Sequence, residues 1–344
     1  MRNALCRSSL VALLVVATAC SHDSSAPERF DEPISGVNDG LWIASGSSPA
    51  ILRLAAPQLL AGGRQNASAT VTTSSATLLT INSLAFDRTG TLWVASEDDS
   101  LLLAFSPDAL AASGFTAASR VIRPTQRSLS APSAIAFDRL QRLWVANFET
   151  GTLVRFDPEQ LAASGAPTPA VIISGLSHPT GIAFDAEGSL WVANSRANTV
   201  EKYSGAQLEA SGSPTPQVEL RASESSLSTP FALAFDVLGN LWVANVGKRT
   251  VVAFSPEALT ASGSPAPRVA LSSLEGSFGI PVGLAFDAQG SLWVVSGEGA
   301  LHSFTSATLA ATDAPEPSAE LLPNGHTLLS GIAFFPMPLG LPIN

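Results

Sequence analysis

The chain has 344 residues, 46 % of them hydrophobic and 13 % charged, with a net charge of −10. That composition excludes a disordered or collagen-like chain and predicts a globular protein with a large apolar core. The acidic excess argues against a nucleic-acid partner, because neutralising phosphate needs clustered Lys and Arg.

The N-terminus reads as an export signal over residues 1–19. Arg2 and Arg7 supply positive charge, and Leu10 to Ala19 is an apolar run too short to span a bilayer. The run ends in Ala17-Thr18-Ala19-Cys20, small residues before a cysteine. This resembles the lipobox of bacterial lipoproteins, and the resemblance implies a diacylated Cys20 as the mature N-terminus. An ordinary signal peptide cut near Ala19 is the alternative. Cys6 lies inside the signal, so a mature chain keeps Cys20 alone and has no partner for a disulfide. Residues 20–35, rich in Ser, Pro and charge, predict a lipidated tether. Without residues 1–19 the chain loses two arginines and no acids, leaving 16 basic against 28 acidic residues, a net charge of −12. The expected location is the bacterial envelope, with Ser21 after the cysteine favouring the outer membrane, and contact with the membrane through the anchor only.

From residue 36 to 344 one phrase recurs: SLAFDRTGTLWVAS from Ser83, AIAFDRLQRLWVAN from Ala134, GIAFDAEGSLWVAN from Gly181, ALAFDVLGNLWVAN from Ala232 and GLAFDAQGSLWVVS from Gly283. The six tryptophans, Trp42, Trp93, Trp144, Trp191, Trp242 and Trp293, are spaced by 51, 51, 47, 51 and 51 residues. A period near 50 with strand-like composition predicts a β-propeller, one blade per repeat. In each unit an apolar strand ends in Ala-Phe-Asp, an Asp-x-x-Gly turn follows, and Leu-Trp-Val-Ala makes a second strand. A third strand is expected at Leu101–Phe105, Thr152–Phe156, Thr199–Tyr203 and Thr250–Phe254. A fourth is expected near residues 119–122, 170–173, 217–220 and 268–271. Four antiparallel strands complete a blade.

Between the third and fourth strands, Ser106-Pro107-Asp108, Asp157-Pro158-Glu159 and Ser255-Pro256-Glu257 each place a cap, a proline at the first helical position and an acid near the dipole's positive end. A short helix is predicted there, ended by Gly114, Gly165, Gly212 and Gly263 and covering the outer strand edges. Ala85, Ala136, Ala183, Ala234, Ala285 and Ala333 recur on the innermost strand, where crowding favours a small residue, and all six are expected in the core.

The ends predict how the ring closes. The first copy, around Trp42, has a second strand and no first; the last, Gly331-Ile332-Ala333-Phe334-Phe335, has a first strand and nothing after. A composite blade in which the C-terminal strand completes the N-terminal ones leaves no open seam. Asp39 then stands at the place of the turn Gly and Phe335 at that of the turn Asp. The fold class is therefore all-β: a six-bladed β-propeller of four-stranded antiparallel blades.

The phrase from Pro179 to Asn194, P-T-G-I-A-F-D-A-E-G-S-L-W-V-A-N, resembles NHL-type propellers and the wider group that holds gluconolactonase-like and streptogramin-lyase-like proteins. The resemblance spans nearly all of the expected mature chain. It implies fold far more than function, since such folds host many chemistries.

The loops entering the first strand and leaving the second share one face, the mouth of the ring, which is the default place for a site. Its candidates are Asn147, Glu149, Asn194, Arg196, Asn245 and Lys248 as a ligand-binding rim, although for the asparagines the capping of strand ends and turns is the favoured role. Glu97, Asp98, Asp99 and Glu149 are hard-oxygen candidates for a divalent cation, but with no EF-hand-like spacing a solvated acidic loop is the favoured reading. No other cofactor is expected. His178 and His326 each precede a first strand, and histidine suits a general base. The streptogramin-lyase-like resemblance implies histidine and metal at the mouth, but these two loops fall three blades apart. The recurring Asp87, Asp138, Asp185, Asp236 and Asp287 belong to the turns of the opposite face. The sequence thus favours a non-catalytic binding scaffold for a protein, peptide or glycan, against a metal-assisted lactonase or lyase.

Overall fold

The computed structural model describes residues 39–46, 50–72, 80–126, 128–223, 226–272, 279–310 and 316–336. The expected signal, tether and Cys20 lie outside the described residues. Within them the repeats form six blades of four antiparallel strands, numbered here 1 to 6 by their tryptophans from Trp42 to Trp293. Blade 3 shows the pattern, with strands Pro132–Phe137, Leu143–Asn147, Thr152–Phe156 and Val171–Ser174 in spatial order. Blade 1 is the composite: Leu329–Phe335 pairs antiparallel with Gly40–Ser45, followed outward by Ala50–Leu54 and Ala69–Thr72. Its register, Trp42 opposite Ala333, repeats that of Trp144 opposite Ala136. The innermost strands touch in cyclic order, with Leu329–Phe335 lying between Pro281–Phe286 of blade 6 and Ile81–Phe86 of blade 2. The ring is closed by the strand pairing that the ends of the repeat predict. Among the described residues no helix is long and apolar enough to cross a membrane.

Each hairpin turn is organised by its aspartate. In blade 4, Asp185 Oδ1 accepts from the backbone N–H groups of Glu187 and Ser189, and Oδ2 accepts from the Trp191 indole at 2.9 Å. The same three bonds recur at Asp87, Asp138, Asp236 and Asp287, with indole distances of 2.9 to 3.3 Å. Asp and Trp six residues apart are therefore one unit: the carboxylate closes the turn and satisfies the only polar atom of a buried indole. Glycine supplies the left-handed fourth position in four of these turns, but in blade 3 Gln141 adopts φ 60°. At the cut of blade 1, Phe335 replaces the aspartate and packs on Phe86 with ring centroids 4.8 Å apart.

The core lies between blades. Each tryptophan is at most 5 % exposed, and five of them meet edge-on the inner-strand phenylalanine of the next blade. Trp293 against Phe334, at 6.4 Å, carries this packing across the closure. Ala85, Ala136, Ala183 and Ala234 are fully buried. Ala285 and Ala333, which flank the junction of blades 6 and 1, keep partial exposure, so the expectation for all six holds for four.

The predicted short helices shrink to single turns: α-helical at Pro107–Leu110, and 3-10 at Pro158–Leu161, Gly205–Leu208 and Pro256–Leu259. The cover on the outer edges comes from the Ser-Gly pair that follows each turn. Ser164 Oγ accepts from Val121 N, while Gly165 N donates to Val121 O and Gly165 O accepts from Arg123 N. Ser211-Gly212 and Ser262-Gly263 repeat these bonds on blades 3 and 4. Gly114 pairs likewise with Val71 of blade 1, and Gly63–Gln65 of blade 1 pairs with Ala319–Pro323 of blade 6. Each of these five latches uses the next blade's backbone to fill the donors and acceptors of an otherwise open edge.

Candidate functional site

The rim is built from the two loops that meet at the mouth end of every blade. One backbone bond staples them in all six: Gly46 N to Leu328 O, Glu97 N to Thr80 O, Phe148 N to Ala131 O, Ser195 N to His178 O, Val246 N to Thr229 O and Gly297 N to Ile280 O, at 2.8 to 3.2 Å. The repeat of this staple shows that the entering and leaving loops share one face, as expected.

Asn147, Asn194 and Asn245 end the second strands of blades 3, 4 and 5 and are 0 to 1 % exposed. Each Oδ1 accepts from a backbone N–H of the entering loop, that of Ser130, Ser177 or Ser228. Asn147 and Asn245 also donate to the carbonyls of Ser128 and Ser226. Their amides brace the loops from within, and the side chains that reach solvent are their neighbours Glu149, Arg196 and Lys248. Further ties run between blades: Ser100 Oγ accepts from Ala131 N, and Asn198 Oδ1 accepts from Thr229 N. These bonds brace the loops that carry the exposed side chains of blades 3, 4 and 5.

The acidic candidates occupy blades 2 and 3. Glu97 accepts from Asn82 Nδ2 at 2.7 Å, Asp98 from Thr80 Oγ1 at 2.5 Å and Glu149 from Ser130 Oγ at 3.2 Å, while Asp99 is exposed. Among the described residues no three His, Cys, Asp or Glu side chains converge closely enough to hold a metal ion. Three of these four carboxylates accept hydrogen bonds from their own blades. The basic candidates occupy blades 4 and 5, where Arg196 and Lys248 are exposed and Arg249 forms a 3.4 Å ion pair with Glu298 of blade 6.

His178 is half-buried with φ 55°, its ring edge-on to Phe148 at 4.8 Å, and its carbonyl accepts from both Ser195 N and Ser195 Oγ. Ala131 and Thr229 hold the same place before proline with φ 48° and 50°. A strained backbone often marks a reactive site, but here the strain belongs to the repeat. His326 Nδ1 lies 2.7 Å from Ser45 Oγ, so that this pair ties the two loops of blade 1. Burial lowers the pKa of His326 below the ordinary histidine value. His178 enters blade 4 and His326 enters blade 1, so the structure sets them on opposite sides of the ring.

Three further features of the mouth lie outside the residues that the sequence motifs single out. At the second position of the innermost strands, Ser133 and Thr180 donate across to the next blade, to Pro179 O and Pro230 O. Phe231 and Val282 occupy the same place in blades 5 and 6, half-exposed, which makes one side of the mouth apolar. Arg249 and Glu298, separated by most of a repeat, meet across two loops. Position within the repeat gives a signal for the first two, and none predicts the third.

The fold and the rim define a six-bladed β-propeller with its candidate site at the mouth. No protein-family model matches the chain, and no curated protein sequence is similar to it. Among solved structures, a protein of unknown function from Bacteroides caccae superposes with a TM-score of 0.59 at 12 % identity, over 86 % of this chain and 98 % of that one. A streptogramin B lyase gives 0.48 at 12 % identity over 75 % and 70 %. Virginiamycin B lyase from Staphylococcus aureus gives 0.47 at 12 % identity over 66 % and 67 %. These likenesses are of fold.

Proposed function

We propose that the chain is an envelope-anchored propeller that binds a protein, peptide or glycan at its rim and performs no chemistry there. The observation that carries this reading is the division of the rim into an acidic sector, with Asp98, Asp99 and Glu149, and a basic one, with Arg196 and Lys248, all mounted on internally braced loops. A fixed array of opposed charges suits recognition by electrostatic complementarity, which selects partners and speeds encounter. His326 and Ser45, 2.7 Å apart, tie two loops of blade 1 with Ser45 fully buried, and His178 stands on the opposite side of the ring.

The test is a screen of peptide and glycan arrays with the purified mature chain, followed by Arg196→Ala and Lys248→Ala. Each substitution is expected to weaken binding by about 1 kcal/mol, roughly fivefold, and to reduce its salt dependence. Metal that survives purification without added cation, together with lactone or depsipeptide cleavage lost on Glu97→Ala and Glu149→Ala, would replace this reading with the lyase or lactonase one.

A further inference from the structure

The two ends of the ring differ in kind. Among the described residues the exposed tips of the rim loops are mainly charged, as at Asp98, Glu149, Arg196, Lys248 and Glu298, with Leu328 an exposed large apolar residue there. At the turn end the tips include Leu140 in blade 3 and Val237 and Leu238 in blade 5, exposed by 66, 58 and 72 %. The middle positions of an Asp-x-x-Gly turn project into solvent and need no apolar side chain. Blades 2 and 4 fill them with Arg88-Thr89 and Ala186-Glu187. Exposed Leu and Val at these tips, in blades 3 and 5, are therefore not a demand of the fold, and their presence on one face signals contact with something apolar.

The single-turn helices flank the same face. A Cβ built on Gly90 or Gly239 would stand 3.5 Å from Pro107 or Pro256, which begin the helices of blades 2 and 5. The helix Ala56–Ala61 holds the corresponding place in blade 1 and carries Leu60, 87 % exposed. The ring is also entered here, since Gly40 begins its strand opposite Phe335 at the turn end. Cys20 precedes Gly40 by 20 residues, a reach of at most ~70 Å extended and about 25 Å as a flexible coil.

We infer that, beyond the contact through the anchor alone that the sequence leads one to expect, the turn face is a membrane-contact surface, on which Leu140, Val237 and Leu238 enter the headgroup region of the leaflet that holds the lipid anchor while the rim points away. The inference rests on the anchored reading of Cys20. Chain entry sets which face lies toward the bilayer, and the exposed tips supply the apolar contact. Charge does not drive the contact: Arg88 and Arg139 on the tips are outnumbered by Glu187 on the blade 4 tip and by Asp108, Glu159 and Glu257 on the surrounding helices. The contact is accordingly insensitive to salt, unlike attachment through a polybasic segment.

Full chain extracted from membranes and reconstituted in phosphatidylethanolamine–phosphatidylglycerol vesicles tests this. Leu238→Cys and Lys248→Cys place a polarity-sensitive dye at opposite ends of blade 5, and the mass of the N-terminal peptide reports acylation of Cys20. The expected result is an acylated chain whose dye at 238 becomes several-fold less accessible to aqueous iodide on reconstitution, equally at low and high salt, while the dye at 248 is unchanged. Equal quenching at both positions in an acylated chain, or protection at 248 alone, overturns the inference and leaves the anchor standing. Protection at 238 in protein without vesicles also overturns it, because a second copy or another part of the chain then covers the face. A Cys20 without acyl groups overturns both this inference and the anchored reading.

Discussion

At the scale of single residues, two buried titratable groups show how the repeat tolerates charge. Asp185 is 5 % exposed, and burial alone would raise its pKa; Lys202 at 2.9 Å, the Trp191 indole and the Ser189 amide outweigh burial and lower it. Lys202 also lies over the Trp191 ring at 5.3 Å, so cation, indole and carboxylate form one cluster. His302 has a different solution. It stands on the third strand of blade 6, where Leu103, Val154 and Val252 stand in other blades, and is 2 % exposed. Desolvation brings its pKa down to about 4, so the folded protein holds it neutral while the unfolded chain titrates near ~6.5. Between those values the unfolded state binds more protons, and stability falls as pH falls. We expect a loss of about 2 kcal/mol between pH 7 and pH 5, read as a lower urea midpoint. His302→Val should flatten that part of the profile, and an unchanged slope would show that the decline originates elsewhere.

At the scale of elements, the strands follow from the sequence because their causes are local. Alternation, the Asp-x-x-Gly turn and the recurring tryptophan place the third strands at their observed bounds and the fourth within a residue of them. What the sequence hides is non-local. Ser164 and Gly165 look like the end of a helix, yet they act on the backbone of the preceding blade at Val121, 43 and 44 residues away. Asn147, Asn194 and Asn245 look like rim ligands or caps, and only the folded loops show their amides engaged with backbone. The latch gives a graded prediction in thermal melts. Ser164→Ala should cost about 1 kcal/mol for one lost hydrogen bond. Gly165→Ala should cost little, since nothing lies within 4 Å of an added Cβ. Gly165→Pro removes the donor to Val121 O and should cost more than either. Equal effects for Ala and Pro at position 165 would mean that the latch does not hold the edge.

At the scale of the molecule, the blade count and the closure were both legible, because the repeat is incomplete in complementary ways at its two ends. The site was legible only as a face. Charges at Glu149, Arg196 and Lys248 could be assigned to one rim from the strand order, but the pairing of Arg249 with Glu298 and the edge-on contact of His178 with Phe148 depend on loop paths that no periodicity encodes. The central claim is a closed ring, in which each innermost strand touches that of both neighbouring blades. Calorimetry of the full chain against one ending at Ser330 tests it most directly. The truncated chain loses the strand opposite Gly40–Ser45 and the Trp293–Phe334 contact across the junction. It should show no single cooperative transition; a truncated protein that melts as one unit at an unchanged temperature would contradict the closure.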